Sequence, residues 1–251
     1  PPTRGGRCHP LTVLDDHSRY SLGLRACENE QRETVQGVLQ DLFRRYGMPR
    51  RMLMDNGSPW GNADDQPWTM LTVWLLRLGV QVTHGRAYHP QTQGKEERFH
   101  RTLKAEVLRG RSFRDVPDCQ RAFDPWRWMY NHERPHEALG LAVPASRYRV
   151  SGRSFPESLP MVEYGPGMLV RKVDQTDGWI GFQGRSVRIG KAFSGQPVGL
   201  LATERAGIYT VHYCEQSLGE LNMRDSGQSS AGMLHIRRTG ESSTDETLRT
   251  S

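Results

Sequence analysis

The chain has 251 residues, of which 35% are hydrophobic and 25% are charged, and its formal net charge is +6 at pH 7. This length suits one large domain, or one medium and one small domain. No run of about 18 apolar residues occurs, which excludes a membrane-spanning helix, and no secretory signal is visible. The four cysteines form no Cys-x-x-Cys pair, so we expect reduced thiols in a cytosolic protein.

The first segments of the chain predict two strands followed by a helix. "PLTVLDDHSRYSLGLRA" indicates two strands, or one bent strand, with a polar break at Asp15–Arg19. Apolar residues then recur at helical spacing from Val35 to Tyr46. Asn29 is the predicted N-cap of this helix, and Gly47 is its predicted stop signal.

The next segments continue the alternation of strands and helices. "RRMLMD" predicts a short strand that ends in Asp55, "WTMLTVWLLRLG" a helix, and "VQVTHG" another strand. Gly94–Leu108 predicts a third helix. Strands interleaved with helices in this way are typical of an α/β layer fold.

The second half of the chain changes in character. From Val116 to Arg147 the pattern is helical, and Pro125 and Pro135 are expected to break it into pieces. "MLVRKV", "WIGF", "RSVRI", "VGLLAT" and "GIYTVHY" predict the short strands of a small antiparallel β barrel. We therefore predict an α/β core at 1–150, a linker at 151–160, the barrel at 161–224 and a disordered tail at 225–251.

Asp55 is a candidate metal ligand. It follows an apolar strand and precedes the turn residues Asn56 and Gly57, and open α/β sheets place their sites at strand ends. The alternative is an ordinary turn cap.

Glu97 is the second candidate metal ligand. On a helical wheel it shares one face with Arg101 and Lys104, while an apolar face lies on the other side. Glu96 lies about 100° further round the wheel and is predicted to point off the metal face. Asp55 and Glu97 together suggest a shared Mg²⁺ site. The alternative for Glu97 is a surface salt bridge to Arg101, worth about 0.3–0.5 kcal/mol.

The positive charge of the chain is concentrated around this predicted helix. Between Arg86 and Arg111 there are seven Lys or Arg and three Glu, a net charge of +4 out of the total of +6. Such a basic segment favours an anionic partner, and nucleic acid first.

Four stretches together resemble a known family. The first two are "LMDNGSPW", which contains Asp55, and "YHPQTQGKEERFHRTLKAE", which contains Glu97; 41 residues separate Asp55 from Glu97. The other two are "LTVLDDHSRY", which precedes them, and "YNHERPHEALG", which follows them. This set resembles the catalytic core of retroviral integrases and of the related transposases of bacterial insertion sequences, over roughly Cys8–Tyr148. The C-terminal strands are similar to the SH3-like domain that follows such cores. The resemblance implies a ribonuclease-H-like mixed sheet with flanking helices and an Asp, Asp, Glu triad, in which Asp55 matches the second Asp and Glu97 the Glu.

The resemblance also implies a DDE-type polynucleotidyl transferase that nicks and joins DNA. Its cofactor would be Mg²⁺, with Mn²⁺ as a substitute, and its partners would be mobile-element ends, target DNA and further copies of the chain, with no membrane. Water would be the nucleophile for nicking, and the freed 3′-OH for joining. A bacterial cytoplasmic, nucleoid-associated location follows from this reading. The implied DNA-binding residues are Tyr88, Gln93, Lys95, Arg98, Arg101 and Lys104.

One part of the family pattern is absent. The first Asp of the family lies in a Trp-x-x-Asp segment on an earlier strand, and the chain begins at Pro1 without it. Asp15 and Asp16 resemble a structural Asp beside a Ser-Arg pair, with Arg19 expected to brace one of them. We therefore expect a fragment that is inactive alone. The alternative functions are a non-catalytic DNA-binding or assembly module and a ribonuclease-H-like nuclease.

Overall fold

The computed structural model describes two compact units. The described residues are 1–4, 6–61, 68–84, 94–224 and 233–236. The first unit comprises Pro1–Ala63 and Thr83–Phe155, and the second comprises Asp64–Val82 and Pro156–Ser251. Among the described residues, no helix has the length and apolar character needed to cross a bilayer.

The N-terminal strands of the first unit form two antiparallel pairs. β1 (Pro2–Thr3) pairs with β2 (Gly6–Arg7), and β3 (His9–Leu14) pairs with β4 (Ser21–Cys27). The register of the second pair runs from His9 opposite Cys27 to Leu14 opposite Ser21. The two strands predicted on either side of the polar break are therefore confirmed.

Ser18 closes the turn between β3 and β4. Its backbone N–H and its hydroxyl both donate to Oδ2 of Asp15, at 2.8 and 2.6 Å. Ser18 therefore braces the carboxylate of Asp15, while the backbone N–H of Arg19 donates to the carbonyl oxygen of Asp15 at 2.9 Å. The reason is local, because a residue three positions on can present both its amide and its hydroxyl to an Asp that opens a turn.

Helices and short strands alternate through the next part of the chain. In chain order they are α1 (Arg32–Tyr46), β5 (Arg51–Met54), α2 (Met70–Arg77), β6 (Gln81–His84), α3 (Gly94–Leu103), α4 (Val116–His132) and α5 (Pro144–Arg147). The helix predicted over Gly94–Leu108 changes from α to π geometry, because a π-helical turn at Lys104–Leu108 follows α3. A 3-10 turn at Glu137–Leu139 follows α4.

The start of α1 differs from the prediction, whereas its end agrees. The N-cap position is Gln31, which makes no side-chain cap. Asn29 acts just before the helix instead, where its Oδ1 accepts from the N–H of Gln31 at 3.0 Å and from the hydroxyl of Thr34 at 2.7 Å. Gly47 ends the helix with a φ of 73°, which glycine adopts without the penalty of a Cβ.

α4 runs through Pro125, so the predicted break at this residue is wrong. Proline in a helix interior costs about 3 kcal/mol, because it removes one hydrogen bond and crowds the preceding turn. Burial of Phe123, Trp126 and Tyr130 on the inner face of α4 offsets that cost. The helix does end before Pro135, as predicted.

One core holds α3, α4 and the strand pair β3–β4 together. Phe99 of α3 is 1% exposed, and its ring centre lies 5.3 Å from that of Trp126 and 4.9 Å from that of Tyr130. The buried residues of this core are Cys8, Leu24, Phe99, Leu103, Val107, Phe113, Cys119, Phe123, Trp126 and Tyr130. Burying an aromatic side chain at this point fixes the position and rotation of α3.

The second unit includes α2, which the sequence prediction places within the first 150 residues. Thr69 and Thr72 form a capping box at its start, in which each hydroxyl accepts from the backbone N–H of the other residue. Leu71–Leu76 is buried throughout, and Trp68 meets the ring of Phe193 edge-on at 6.0 Å. A helix that is apolar all round needs cover on every side, which explains its grouping with a second set of buried residues.

The C-terminal strands of the second unit form two sheets. Their bounds are β7 (Leu169–Lys172), β8 (Trp179–Phe182), β9 (Arg185–Arg188), β10 (Pro197–Ala202), β11 (Ile208–Tyr213), β12 (Gln216–Asn222) and β13 (Met233–His235). The four-stranded sheet has the order β12-β11-β10-β7 and is antiparallel, and the three-stranded sheet has the order β13-β9-β8. The predicted short strands are therefore present, but the SH3-like barrel is not confirmed. β12 was not predicted.

Part of the segment predicted to be a disordered tail forms a strand. β13 pairs in parallel with β9, from Met233 opposite Ser186 to His235 opposite Arg188. This corrects the expectation for these three residues, because a distant strand edge supplies the hydrogen bonds that their polar surroundings in sequence do not suggest. Most of the segment 225–251 lies outside the described residues.

The first residues of the predicted linker at 151–160 are hydrogen-bonded to the end of α1 and the loop that follows it. The N–H of Ser151 donates to the carbonyl oxygen of Tyr46 at 3.0 Å, and the N–H of Met48 donates to that of Arg153 at 2.7 Å. Phe155 lies 6.3 Å from the ring of Phe43. These contacts keep the chain attached to the first unit up to Phe155.

Candidate functional site

Asp55 lies directly after β5, where its side chain is exposed. Its Oδ1 accepts a hydrogen bond from the backbone N–H of Gly57 at 3.0 Å. The carboxylate therefore caps the following turn, as the alternative interpretation expected. This single hydrogen bond leaves the carboxylate free to accept others, because its two oxygens can together accept several hydrogen bonds or metal bonds. Both roles are compatible at this position.

His84, the last residue of β6, forms a hydrogen bond to the residue that follows β5 and was not identified from the sequence. Its Nδ1–H donates to the carbonyl oxygen of Asp55 at 3.0 Å. Its Nε2 is buried and has no hydrogen-bond partner among the described residues. In the neutral tautomer that carries its proton on Nδ1, Nε2 is an acceptor. The available signal was its place at the end of the alternating segment "VQVTH".

Glu96 lies close enough to Asp55 for the two carboxylates to repel each other. Its side chain is half-buried, and its pKa is raised, first by burial and then by the nearby charge of Asp55. Glu96 precedes Leu103 by seven residues, or about two turns, so both lie on the stripe of α3 that faces the core. The buried stripe therefore brings Glu96 to the Asp55 end of the sheet.

Glu97 lies one residue further on and is exposed. It forms no ion pair with another described residue, so the salt bridge to Arg101, which was the alternative interpretation, is not made within that part of the chain. Its carboxylate is thus uncommitted among these residues, in the same first turn of α3 as Glu96. The pairing of Asp55 with Glu97 stays a prediction.

The cations on and after α3 divide into two groups. Lys95 pairs with Asp16 of the β3–β4 turn, and Arg98 lies 3.9 Å from Glu137. Arg101 and Lys104 are exposed and have no acidic partner among the described residues. The second group is available for phosphates without breaking an ion pair.

Two predicted DNA-binding residues cannot be placed. Tyr88 and Gln93 lie outside the described residues. α3 itself is held to β3 by a hydrogen bond of 2.8 Å between Nε2 of His100 and the hydroxyl of Thr12. This contact adds to the burial of Phe99 in fixing which face of α3 points toward Asp55.

The donor set around Asp55 suits a hard divalent cation. Such cations prefer carboxylate oxygens, and two carboxylates that raise each other's free energy are relieved by a positive charge between them. The unpaired Nε2 of His84 shows that this edge also has unused acceptor capacity. Among the described residues, however, no three His, Cys, Asp or Glu side chains converge as a metal site.

Sequence families match most of the chain. Residues 1–90 and 78–144 each match an integrase core domain family, and residues 168–229 match the C-terminal domain of IS481 family transposases.

Individual relatives agree with these families. A protein of insertion element IS407 from Burkholderia multivorans is 26% identical over 144 residues, which cover 57% of this chain and 50% of the relative. A protein of insertion element IS136 from Agrobacterium fabrum is 35% identical over 92 residues, which cover 37% and 44%. The chain thus spans about half the length of these curated relatives.

A solved structure is also similar. The catalytic core domain of BIV integrase is 21% identical, and the alignment covers 55% of this chain and 89% of that chain with a TM-score of 0.42. The family matches, rather than this alignment, decide the assignment. The chain therefore carries an integrase core domain, which two overlapping families match between residues 1 and 144, followed by a match to the C-terminal domain of IS481 family transposases.

Proposed function

We propose that this chain forms the catalytic core of an insertion-sequence transposase, which nicks the ends of its element and joins them to target DNA. The observation that supports this most directly is the approach of Asp55 to the first turn of α3, across 41 residues of sequence. The recorded approach is between Asp55 and Glu96, and Glu97, the glutamate that the family pattern assigns to catalysis, is the next residue of the same turn. A ribonuclease-H-like arrangement of the core is part of this proposal.

Asp55 and Glu97 are the proposed metal-holding residues, with Glu96 as a second carboxylate beside Asp55. A bound Mg²⁺, or Mn²⁺ in its place, would neutralise charge on the scissile phosphate and lower the pKa of the attacking oxygen. Gly57 and His84 position Asp55 by holding its side chain and its carbonyl oxygen. No residue of the chain is assigned to the first Asp of the family pattern, and we propose that the chain alone is inactive.

The basic residues near α3 would hold the DNA backbone. Arg101 and Lys104 are exposed and free of acidic partners among the described residues, so they would neutralise phosphates directly. Lys95 and Arg98 would do so after leaving Asp16 and Glu137. Tyr88 and Gln93 remain proposed contacts from the family pattern. Joining two element ends would require at least two copies of the chain.

A non-catalytic DNA-binding or assembly module is the second candidate. It is favoured by the lack of three converging metal ligands among the described residues. In that case the basic face near α3 would bind DNA, and Asp55 would serve only as the cap of its turn.

A product assay separates these functions. We expect a protein extended upstream through a Trp-x-x-Asp segment to nick and join labelled element-end DNA in the presence of Mg²⁺. Cut strands without joined product would indicate a nuclease, and binding without any product would indicate the non-catalytic module. The chain that starts at Pro1 serves as the control, and it should bind DNA but form no product.

A pair of adjacent variants tests which glutamate has the catalytic role. Glu97→Gln in the extended protein should reduce joining by about 10²–10³-fold, the usual loss when one group that stabilises transition-state charge is removed. Glu96→Gln should retain most activity, because the amide keeps the size and polarity of the half-buried side chain. Titration of Mn²⁺ binding gives a readout independent of turnover. The reverse order of the two variants would assign the ligand role to Glu96.

A further inference from the structure

A polar cavity of about 390 Å³ lies in the first unit, beside the turn between β3 and β4. It is lined by Asp15, His17, Ser146, Arg147 and Arg149. Two of these side chains are permanent cations, and the imidazole and hydroxyl add donors. The proposed catalytic residues Asp55 and Glu97 are not among its lining residues.

The backbone that presents the two arginines is anchored by aromatic packing. Tyr148, which lies between them, stacks on Tyr20 with ring centres 4.5 Å apart and meets Tyr46 edge-on at 6.0 Å. Burial raises the pKa of Tyr148 to about 12, so its hydroxyl stays neutral near pH 7. Because Tyr148 is fixed in this way, the backbone positions of its neighbours Arg147 and Arg149 are fixed as well.

The charges of the two arginines are not neutralised within the described part of the chain. Neither guanidinium forms an ion pair there, and the recorded contact of Arg149 is a hydrogen bond of 3.0 Å to the carbonyl oxygen of Tyr148. The carboxylate of Asp15 is engaged by Ser18 instead. Exposed cations without acidic partners raise the local potential and attract anions.

A third cation extends this surface. Arg45 is exposed and lies over the ring of Tyr46, with its guanidinium carbon 5.1 Å from the ring centre. It therefore borders the same aromatic cluster that supports Arg147 and Arg149. The planar guanidinium group matches the geometry of a phosphate. It is also more weakly hydrated than an ammonium group, so an arginine loses less hydration energy when it binds a phosphate.

We propose that this cavity binds a phosphodiester of the DNA backbone and so provides a second DNA contact in addition to the basic residues near α3. The inference rests on the proposed function, in which the chain acts on DNA. Recognition would depend on charge and on the position of the arginines rather than on base sequence, because phosphates carry no sequence information. Arg147 and Arg149 would contact the phosphate, with Ser146 and His17 as additional donors.

Salt-dependent DNA binding by the full chain tests this proposal. We expect the double variant R147A/R149A to bind a short fluorescent duplex more weakly than the wild type, in the absence of metal. The slope of log affinity against log salt should fall by about two, because each lost phosphate contact removes about 0.9 from the slope. A matched control is R114A/R121A, which removes the same charge from arginines that already pair with Asp118 at 3.5 and 2.9 Å.

The outcomes distinguish a specific site from general electrostatics. An unchanged slope in R147A/R149A, or an equal fall in the control, would overturn the proposal. The variant R147K/R149K keeps the charge and should keep the slope, and a cooperative urea transition in R147A/R149A like that of the wild type excludes misfolding as the cause of any loss. If the wild-type chain itself binds no DNA, the proposed function fails together with this inference, whereas intact wild-type binding with an unchanged slope defeats the inference alone.

Discussion

Replacing Asp55 with Asn is expected to reduce nicking and joining by the upstream-extended protein by about 10²–10³-fold or more, the loss typical of removing a group that stabilises transition-state charge. An amide is neutral and is a poor ligand for a hard cation, so the metal-dependent step should fail. Its oxygen can still accept from the N–H of Gly57, so the turn after β5 should persist. DNA affinity without metal should therefore change little.

The measurement pairs a product assay with metal-free binding. Asp41→Asn is a matched control, because it makes the same chemical change at an exposed carboxylate that pairs only loosely with Arg44, at 3.6 Å, on α1. That variant should keep both activities. If Asp55→Asn lost DNA binding and chemistry to the same degree, Asp55 would be a structural cap rather than a metal ligand.

Replacing Phe99 with Ala should produce the largest loss of stability among the changes considered. Phe99 is 1% exposed and packs edge-on against Trp126 and Tyr130. Removing a buried Phe costs about 3–5 kcal/mol, because apolar burial is lost and a cavity remains. Since this residue fixes the rotation of α3, we also expect the approach of Glu96 to Asp55 to loosen.

Urea unfolding, followed by the fluorescence of the tryptophans, measures this effect as a change in the midpoint. Trp128→Ala is the control, because Trp128 also lies near this helix pair, on α4, but is 56% exposed. Its loss should change the free energy of unfolding by about 0.5 kcal/mol or less, as is usual for surface substitutions. Equal losses in the two variants would show that Phe99 does not hold the core as described.

Much of the first unit and many strands of the second could be predicted, because their signals are local. The polar break at Asp15–Arg19 separates two alternating segments, and Gly47 supplies the positive φ that ends α1. Asp55 could be singled out because a strand that ends in a carboxylate and a turn places that group at a sheet edge. These features depend on a few neighbouring residues and little on the rest of the fold.

The features that escaped prediction depend on contacts between distant segments. The direction of Glu96 is set by the core that α3 packs against, because Glu96 lies on the same stripe of the helix as the buried Leu103. The continuity of α4 at Pro125 depends on the burial of its inner face. β13 pairs with β9, which lies some 45 residues earlier in the chain, and the residues of β13 alone do not specify this pairing.

The ion pair between Lys95 and Asp16 bears on the proposed contact between the first turn of α3 and DNA. The side chain of Asp16 is 83% exposed, and exposed ion pairs are worth at most about 1 kcal/mol. Exchanging this partner for a phosphate would leave Asp16 in water, where it is well hydrated. A DNA strand that binds as proposed would therefore displace Asp16 from Lys95 at little cost, and the ion pair would form again when the strand leaves.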